Sequence, residues 1–493
     1  MKRNLASKPL AALPDIHYPH AAGVDIGARE IFVAVPEDRD AMQSIRGFAT
    51  FTHDLEQLAE WLTQCRITHV AMEATGVFWI PLFELLERRG FQVFLVDPHQ
   101  TKQVAGRKSD VSDSRWIQRL MSWGLLHAAF RPADPICQLR SLVRDRAVLV
   151  REQTTAVNRV HKALTQMNIQ LGHVVSDLTG VTALAIVRAI VAGERSATVL
   201  AKLRSTRLRV SDADLLKSLC GTWHTVQLFE LRLALSAYDF FAGQINETQT
   251  LIDAHLMALK PTGNAVSIET QKRTAKTKRR TAQQTQSLCS KIHALLGVDL
   301  TSIPCIGVDT ALIIATEIGP NLSLFPTSAH FCSYVGLAPR PRISGGKRIS
   351  GGETKRRICR VGQALKQAAT AARRNETFIG CAHRARLRRM EKGKAIKATA
   401  HHLARLIYSM LTHHAEYRET TVADFDEMHR ARAERRLRRE AKRLGMTVLK
   451  STPDQELKNK THKINSLGLV LWKKLRFASQ FIPLRGIATL TIT

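Results

Sequence analysis

AAGVDIGAREIFVAVPED, residues 21–38, decides the fold of the first part of the chain. Val24, Ile26, Ile31, Val33 and Val35 are β-branched residues at strand-like spacing, and the GARE between them reads as a tight hairpin turn. Outward from this hairpin, LEQLAEWLTQC (55–65) is an amphipathic helix. ITHVAMEATG (67–76) is a short apolar strand with a polar tip. IPLFELLERRG (80–90) is a helix with Gly90 as its C-cap, and FQVFLVDP (91–98) is a strand stopped by Pro98. Strands alternating with helices predict an α/β layer with a mixed sheet over residues 20–130.

From about residue 137 the pattern turns helical. LRSLVRDRAVLVREQTTAVNRVHKALTQM (139–167) lacks Gly and Pro, and Val143, Val150, Val157 and Leu164 recur as a coiled-coil-like seam. A second long helix is predicted over 223–258, with Leu228, Leu231, Leu235, Ile245 and Ile252 on one side. Two short helices, in 177–194 and 212–219, lie between them. Together these predict a helical coiled-coil region over 131–260, either a dimerisation arm or two helices packing only on themselves. The polar, basic and aperiodic run from 260 reads as a linker over 261–290. A mainly helical domain follows over 291–420, then an Arg-rich helix (HRARAERRLRREAKRLG, 429–445) ending at Gly445 and a tail, together 421–493.

The 493 residues carry 73 Lys and Arg against 42 Asp and Glu, a net charge of +31. A compact chain this basic repels itself unless a polyanion neutralises it, which points to nucleic acid. A membrane surface is the weaker partner: no apolar run of about 18 residues spans a bilayer, and the N-terminus has no signal-peptide core. None of the eight cysteines forms a CxxC pair or has a nearby His at zinc-finger spacing, which fits reduced structural thiols in a cytosolic protein.

Acids are the minority charge, so their positions carry information. Asp25 sits within a strand, where an unpaired carboxylate is costly. Glu73 sits at a strand tip, the usual place for site residues in open α/β sheets. Asp110 and Asp113, in GRKSDVSDSRW (106–116), are three apart and share one helix face. Each has an ordinary structural role as well: a turn neighbour in a strand, a cap and dipole partner at a helix start. As a group they form a carboxylate set of the kind that holds two Mg²⁺ ions on the attacking and leaving oxygens of a phosphodiester. Arg107, Lys108 and Arg115 flank it as candidate phosphate contacts.

The second constellation is PRPRISGGKRISGGETKRR, residues 339–357. Gly345, Gly346, Gly351 and Gly352 allow backbone N–H groups to approach phosphates, and Arg342, Lys347, Arg348, Lys355 and Arg356 are among its cations. Ser344 and Ser350 are hydroxyls in the same loop; it is a phosphate-gripping loop or one that also presents a nucleophile. The third is SIPCIGVDTA (302–311), which looks like a helix-hairpin-helix turn aimed at a DNA phosphate, with Cys305 where a first glycine is expected.

GVDIG, AMEATGVFWIP, DPHQTKQVAGRKSDVSDS and YVGLAPRPRISGGKRISGG with RVGQALKQAA occur in that order over about residues 20–420. Together they resemble the DEDD transposases of insertion sequences, relatives of the Piv DNA invertases. The resemblance implies an α/β plus all-α chain: a RuvC-like (ribonuclease-H-like) N-terminal domain, a coiled-coil middle and a mainly helical C-terminal transposase domain. It implies that Asp25, Glu73, Asp110 and Asp113 are the Mg²⁺-binding tetrad and that Ser344 is the catalytic serine, with Ser350 as its alternative. It also implies DNA substrates, a homo-oligomer (dimer or tetramer), a structured guide RNA and a bacterial cytoplasmic, nucleoid-associated location. Ser114 departs from the family's Ala after the last Asp, and Cys305 from its hairpin glycine.

The function expected is excision and insertion of a mobile element by cutting and rejoining DNA. A RuvC-like nuclease using metals and water alone is the alternative. GVDIG also resembles the first phosphate motif of actin-like sugar kinases, but no later glycine-rich adenosine motif follows, and the charge is wrong for a metabolite enzyme. A nucleic-acid-binding protein without catalysis is the remaining rival.

Overall fold

Strand β1 (Ala21–Ile26) and strand β2 (Glu30–Ala34) form the hairpin that the residue pattern predicts, antiparallel with Val24 opposite Val33. The Gly27 N–H donates to the Glu30 carbonyl at 3.0 Å and closes the turn. This is a computed structural model; it describes residues 15–40, 42–74, 76–101, 110–206, 208–259, 282–339, 343–345, 347–348, 359–419 and 421–445. Strand β3 (Ile45–Ala49) pairs antiparallel with β2. Then come α1 (Thr52–Gln64), β4 (His69–Glu73), α2 (Trp79–Arg88), β5 (Gln92–Val96), the single turn α3 (Pro98–Thr101) and α4 (Asp110–Ser122). The sheet order is β3-β2-β1-β4-β5, and β1, β4 and β5 run parallel. The expected mixed sheet is therefore present. Sequence reasoning missed β3, whose residues are half-buried or exposed and show no clean alternation.

Side chains alternate faces along a strand, and the two faces carry different cores. Ala22, Val24 and Ile26 of β1 and Val70 and Met72 of β4 pack with Leu58 and Leu62 of α1 and Leu82 and Leu86 of α2. Ala21 of β1, Ala71 of β4 and Val96 of β5 pack with Ile117, Leu120 and Met121 of α4. Helices thus cover the parallel part of the sheet on both sides.

The predicted long helix is α5 (Asp134–Gln166). Its C-terminal residues Val160, Ala163 and Leu164 join a third core with residues of α6 (Leu171–Val174), α7 (Val181–Val191), α8 (Ala197–Lys202), α9 (Asp212–Leu219) and α10 (Thr225–Ala258). In the expected seam, Val143 and Leu164 are buried while Val150 and Val157 are half-buried. Between Val143 and Ala156 the helix has no buried residue. Its buried residues lie toward its two ends.

The chain divides into two compact units. The first comprises Met1–His255 and a detached segment, Thr316–Leu324; the second comprises Leu256–Ala315 and Phe325–Thr493. The segment is tied to α5: Arg144 donates from Nε to Glu317 Oε1 at 2.9 Å and from Nη2 to Oε2 at 2.6 Å. These residues fall within the stretch 291–420 expected as the C-terminal domain.

In the second unit, α11 (Ala282–Leu296) begins inside the stretch expected to be linker, so residues 282–290 are helical. There follow α12 (Val308–Ile318), which ends in the detached segment, and α13 (Ser328–Tyr334). A short hairpin of β6 (Ile343–Ser344) and β7 (Lys347–Arg348) comes next, where a plain loop was expected. The chain continues as α14 (Arg360–Ala371), α15 (Phe378–Leu387), α16 (Lys392–His413) and α17 (Val422–Arg443). Helix α16 is the hub: Ala395, Thr399, Ala400, Leu403, Ala404, Ile407 and Met410 are buried beneath α13, α14 and α15. No helix among the described residues is long and apolar enough to cross a membrane. The tail expected after residue 445 lies outside the described residues.

Candidate active site and nucleic-acid interface

Pairing of β1 with β4 runs Gly23 to Ala71 and Val24 to Met72. One step further along this parallel register stand Asp25 and Glu73, on strands spaced about 4.8 Å apart. Both lie at the C-terminal end of the parallel sheet. Both follow a residue of the α1–α2 core, so both face the side covered by α4. Each is half-buried.

What brings α4 to them is Gly23. A Cβ at that position would stand 2.1 Å from the backbone nitrogen of Gln118, 2.4 Å from the carbonyl oxygen of Ser114 and 2.7 Å from the Gln118 Cα. The helix backbone lies directly on the strand, a contact only glycine permits. Ser114 is wholly buried there, and Asp113, half-buried, immediately precedes it. The Gln118 side chain continues the seam, its amide donating to the Ser122 hydroxyl at 2.9 Å. Asp110 opens α4 one turn earlier, and its side chain lies outside the described residues.

Glu73 is oriented by a residue that sequence reasoning missed. The Thr101 hydroxyl lies 3.1 Å from Glu73 Oε2 and 3.0 Å from the Pro98 carbonyl. The Trp116 indole N–H donates to the Thr101 carbonyl at 3.2 Å, linking α3 to α4 beside Asp113. The only hint in the sequence was Asp-Pro after β5, which forces a turn near the strand end.

Three carboxylates, Asp25, Glu73 and Asp113, therefore sit on adjoining elements at one end of the sheet. Their oxygens are the hard donors that Mg²⁺ prefers. Among the described residues, no group of three or more His, Cys, Asp or Glu is close enough to hold a metal ion. The donor chemistry fits a divalent cation, while the described carboxylates by themselves do not form a closed cage.

The predicted phosphate contacts divide. Arg107, Lys108, Arg342, Lys355 and Arg356 lie outside the described residues, as does Ser350. Arg115 is engaged within its own unit, donating to Glu37 at 2.7 Å and to the Ser44 hydroxyl at 2.9 Å; a phosphate would have to compete with both. In the second unit Ser344 and Lys347 face each other across the β6–β7 hairpin and both are exposed. Gly345 turns that hairpin with φ +55°. Arg348 belongs to the same hairpin, paired through its backbone with Ile343.

Cys305 does not break its hairpin. It adopts φ +74°, the left-handed conformation that a glycine would supply there. Ile303 and Ile306 are buried on either side, and the next residues lead directly into α12. The turn geometry is kept at the cost of a strained non-glycine residue. All eight cysteines are free thiols. Burial pushes the Cys332 thiol up to about 11, so that group stays protonated and inert.

A strand-helix sheet of this order, with acids at the strand ends and on the crossing helix, is the architecture expected of a ribonuclease-H-like domain. The comparison with known families makes the class specific. Residues 22–169 match a transposase model, the DEDD transposase of IS110 type, and residues 299–380 match the model described as Transposase IS116/IS110/IS902 family. The first match contains Asp25, Glu73, Asp110 and Asp113; the second contains Cys305 and Ser344. Over these two stretches the chain is similar to the DEDD transposases of IS110 type. One relative is the insertion element IS110 uncharacterized 43.6 kDa protein of Streptomyces coelicolor, 43% identical over 68 residues. That alignment covers 13% of this chain and 16% of the relative.

Proposed function

We propose that the chain cuts and rejoins DNA to excise and insert a mobile element. The observation that supports this is the placement of Asp25 and Glu73 on neighbouring strand ends beneath α4, the helix that carries Asp113, within a match to a DEDD transposase model. Asp25, Glu73, Asp110 and Asp113 would hold Mg²⁺, which when bound polarises a scissile phosphate. Thr101 fixes the rotamer of Glu73, and Gly23 sets the distance between the strand acids and the helix acids.

Ser344 is the nucleophile in this reading. Its Oγ attacks phosphorus, a phosphoserine ester forms, and the deoxyribose hydroxyl leaves with a proton. Attack by a hydroxyl-ended DNA strand then reverses the ester and frees the serine. The exposed place of Ser344 on a glycine-turned hairpin among cations supports this role. A structured guide RNA is part of the same proposal, supported by the +31 charge.

A homo-oligomer is supported by α10. Its buried side carries Leu231, Leu235 and Ile252. At helical spacing on the other side, Val226, Phe229, Leu233, Phe240 and Leu251 are about half to two-thirds exposed.

The test is a denaturing gel of the full chain with DNA carrying the element's ends and Mg²⁺. Wild type is expected to yield a protein–DNA adduct that Ser344→Ala abolishes and Ser350→Ala retains. Free cut ends without an adduct, unaffected by Ser344→Ala, establish instead a nuclease that uses metals and water. Full activity in Asp25→Asn excludes the carboxylate site.

A further inference from the structure

The second unit contains a cavity of about 210 Å³ between α15, α16 and α17. Two of its walls are aromatic: Phe378 and Phe425 meet edge to face with ring centres 5.4 Å apart. Arg386, Arg432 and His402 supply cationic or basic walls, and Ala382 and Met428 complete the lining. No carboxylate among the described residues lines it. The volume falls below the roughly 300–1,000 Å³ of drug-sized ligand sites and suits one flat ring system.

The site is built rather than incidental. Arg386 donates from Nη1 to the Thr399 hydroxyl at 3.1 Å, and Thr399 is wholly buried. The same hydroxyl lies 2.9 Å from Nδ1 of His383, itself buried. With Arg386 donating to it, the threonine O–H is free to donate to an unprotonated Nδ1. Burial and the neighbouring arginines push the His383 ring below its ordinary value, consistent with that neutral state. Burial, then Arg386, Arg405 and His401, push His402 in the same direction. Arg386 is thus locked in place, and no carboxylate among the described residues pairs with it.

Helix α17 continues the theme outward. Phe425, Met428 and Arg432 line the cavity at spacings of one helical face. Beyond Arg432 the same face carries Arg435, Arg436, Arg439 and Arg443 in exposed positions. The face changes from aromatic inside the cavity to a run of guanidinium groups outside it. This is the chemistry of a single-stranded nucleic acid: stacking for a base, cations for the phosphates that flank it.

We infer that the cavity between Phe378, Phe425 and Arg386 receives one unpaired base of a nucleic acid, with the arginine face of α17 holding the adjoining phosphates. The unpaired base belongs to DNA or to RNA, which share this chemistry. The inference rests on the proposal that the chain acts on nucleic acid.

Its test uses the full chain and a hairpin duplex carrying one unpaired 2-aminopurine, beside the same duplex fully paired, each as DNA and as RNA. The unpaired base is expected to be quenched on binding in at least one of the two sugars, which identifies the source. Phe425→Leu, which keeps bulk and loses the ring, should restore emission and weaken binding about tenfold, the scale of one base stack. Binding of the paired duplex should not change. Ala382→Phe fills the cavity without removing a wall and should have the same effect, so a folding defect in one variant leaves the other to decide. Equal binding of paired and unpaired duplexes, or quenching that survives both variants, overturns the pocket while leaving nucleic-acid binding intact. Failure to bind any of the oligonucleotides overturns both.

Discussion

Gly23→Ala perturbs the candidate site without touching a carboxylate. The new Cβ would stand 2.1 Å from the Gln118 nitrogen and 2.4 Å from the Ser114 carbonyl oxygen, whereas ordinary contact begins at 3.4 Å. Both neighbours are helix backbone, so no side chain can rotate away; α4 must move by about 1 Å. Overpacking of this kind costs about 1–3 kcal/mol, and each kcal/mol lowers Tm by roughly 2–4 °C for a unit of this size. The functional effect is larger, because α4 carries Asp110 and Asp113: a misplacement of about 1 Å costs on the order of a hundredfold in rate. The assay pairs thermal unfolding with Mg²⁺-dependent cleavage of element-end DNA. Gly243→Ala in α10 is the control, since a Cβ there meets nothing within 4 Å and the exposed helix gains about 1 kcal/mol. Unchanged Tm and cleavage in Gly23→Ala would refute the close seating of α4 on β1.

Thr101→Val removes the hydroxyl beside Glu73 and is expected to reduce cleavage by about 10–100-fold, the range for residues that orient a metal ligand, with Tm nearly unchanged. Cys305→Gly relieves a left-handed non-glycine residue and should raise stability by up to about 1–2 kcal/mol, read from urea unfolding; a loss would mean that the thiol packs better than the turn is strained. Leu233→Glu, on the exposed face of α10, should shift the sedimentation of the full chain toward a smaller species and leave helicity unchanged. Finally, His383 is held below its ordinary value by burial. Its unfolded form takes up a proton near pH 6.5 before the folded form does. Stability is therefore fully present above about pH 6.5 and declines as pH falls toward the folded value. His383→Gln should flatten that decline in Tm between about pH 7.5 and pH 5.5.

Much of the first unit was legible because its signals are local. Alternation in β1 and β2, the apolar face of α1 and the stop at Gly90 and Pro98 each act over a few residues. Asp25 could be placed within a strand and Glu73 at a strand tip for the same reason. Thr101 could not, because its importance comes from the fold bringing α3 against Glu73. The bond between Arg144 and Glu317 is likewise long-range, joining residues 173 positions apart, and nothing in either neighbourhood announces it. The cavity behind Arg386 depends on three helices meeting, and α15, which supplies Phe378 and Arg386, was not foreseen at all.

The detached segment Thr316–Leu324 has a practical consequence for anyone dissecting the chain. The polypeptide leaves the first unit after His255, returns to it for nine residues and leaves again at Phe325. No single cut separates the units cleanly. A fragment ended between residues 260 and 281 would carry Asp25, Glu73, Asp110 and Asp113 but lack Glu317, the acid that pairs with Arg144 on α5. Supplying residues 316–324 again, through an engineered linker, is the design by which the first unit would be made on its own.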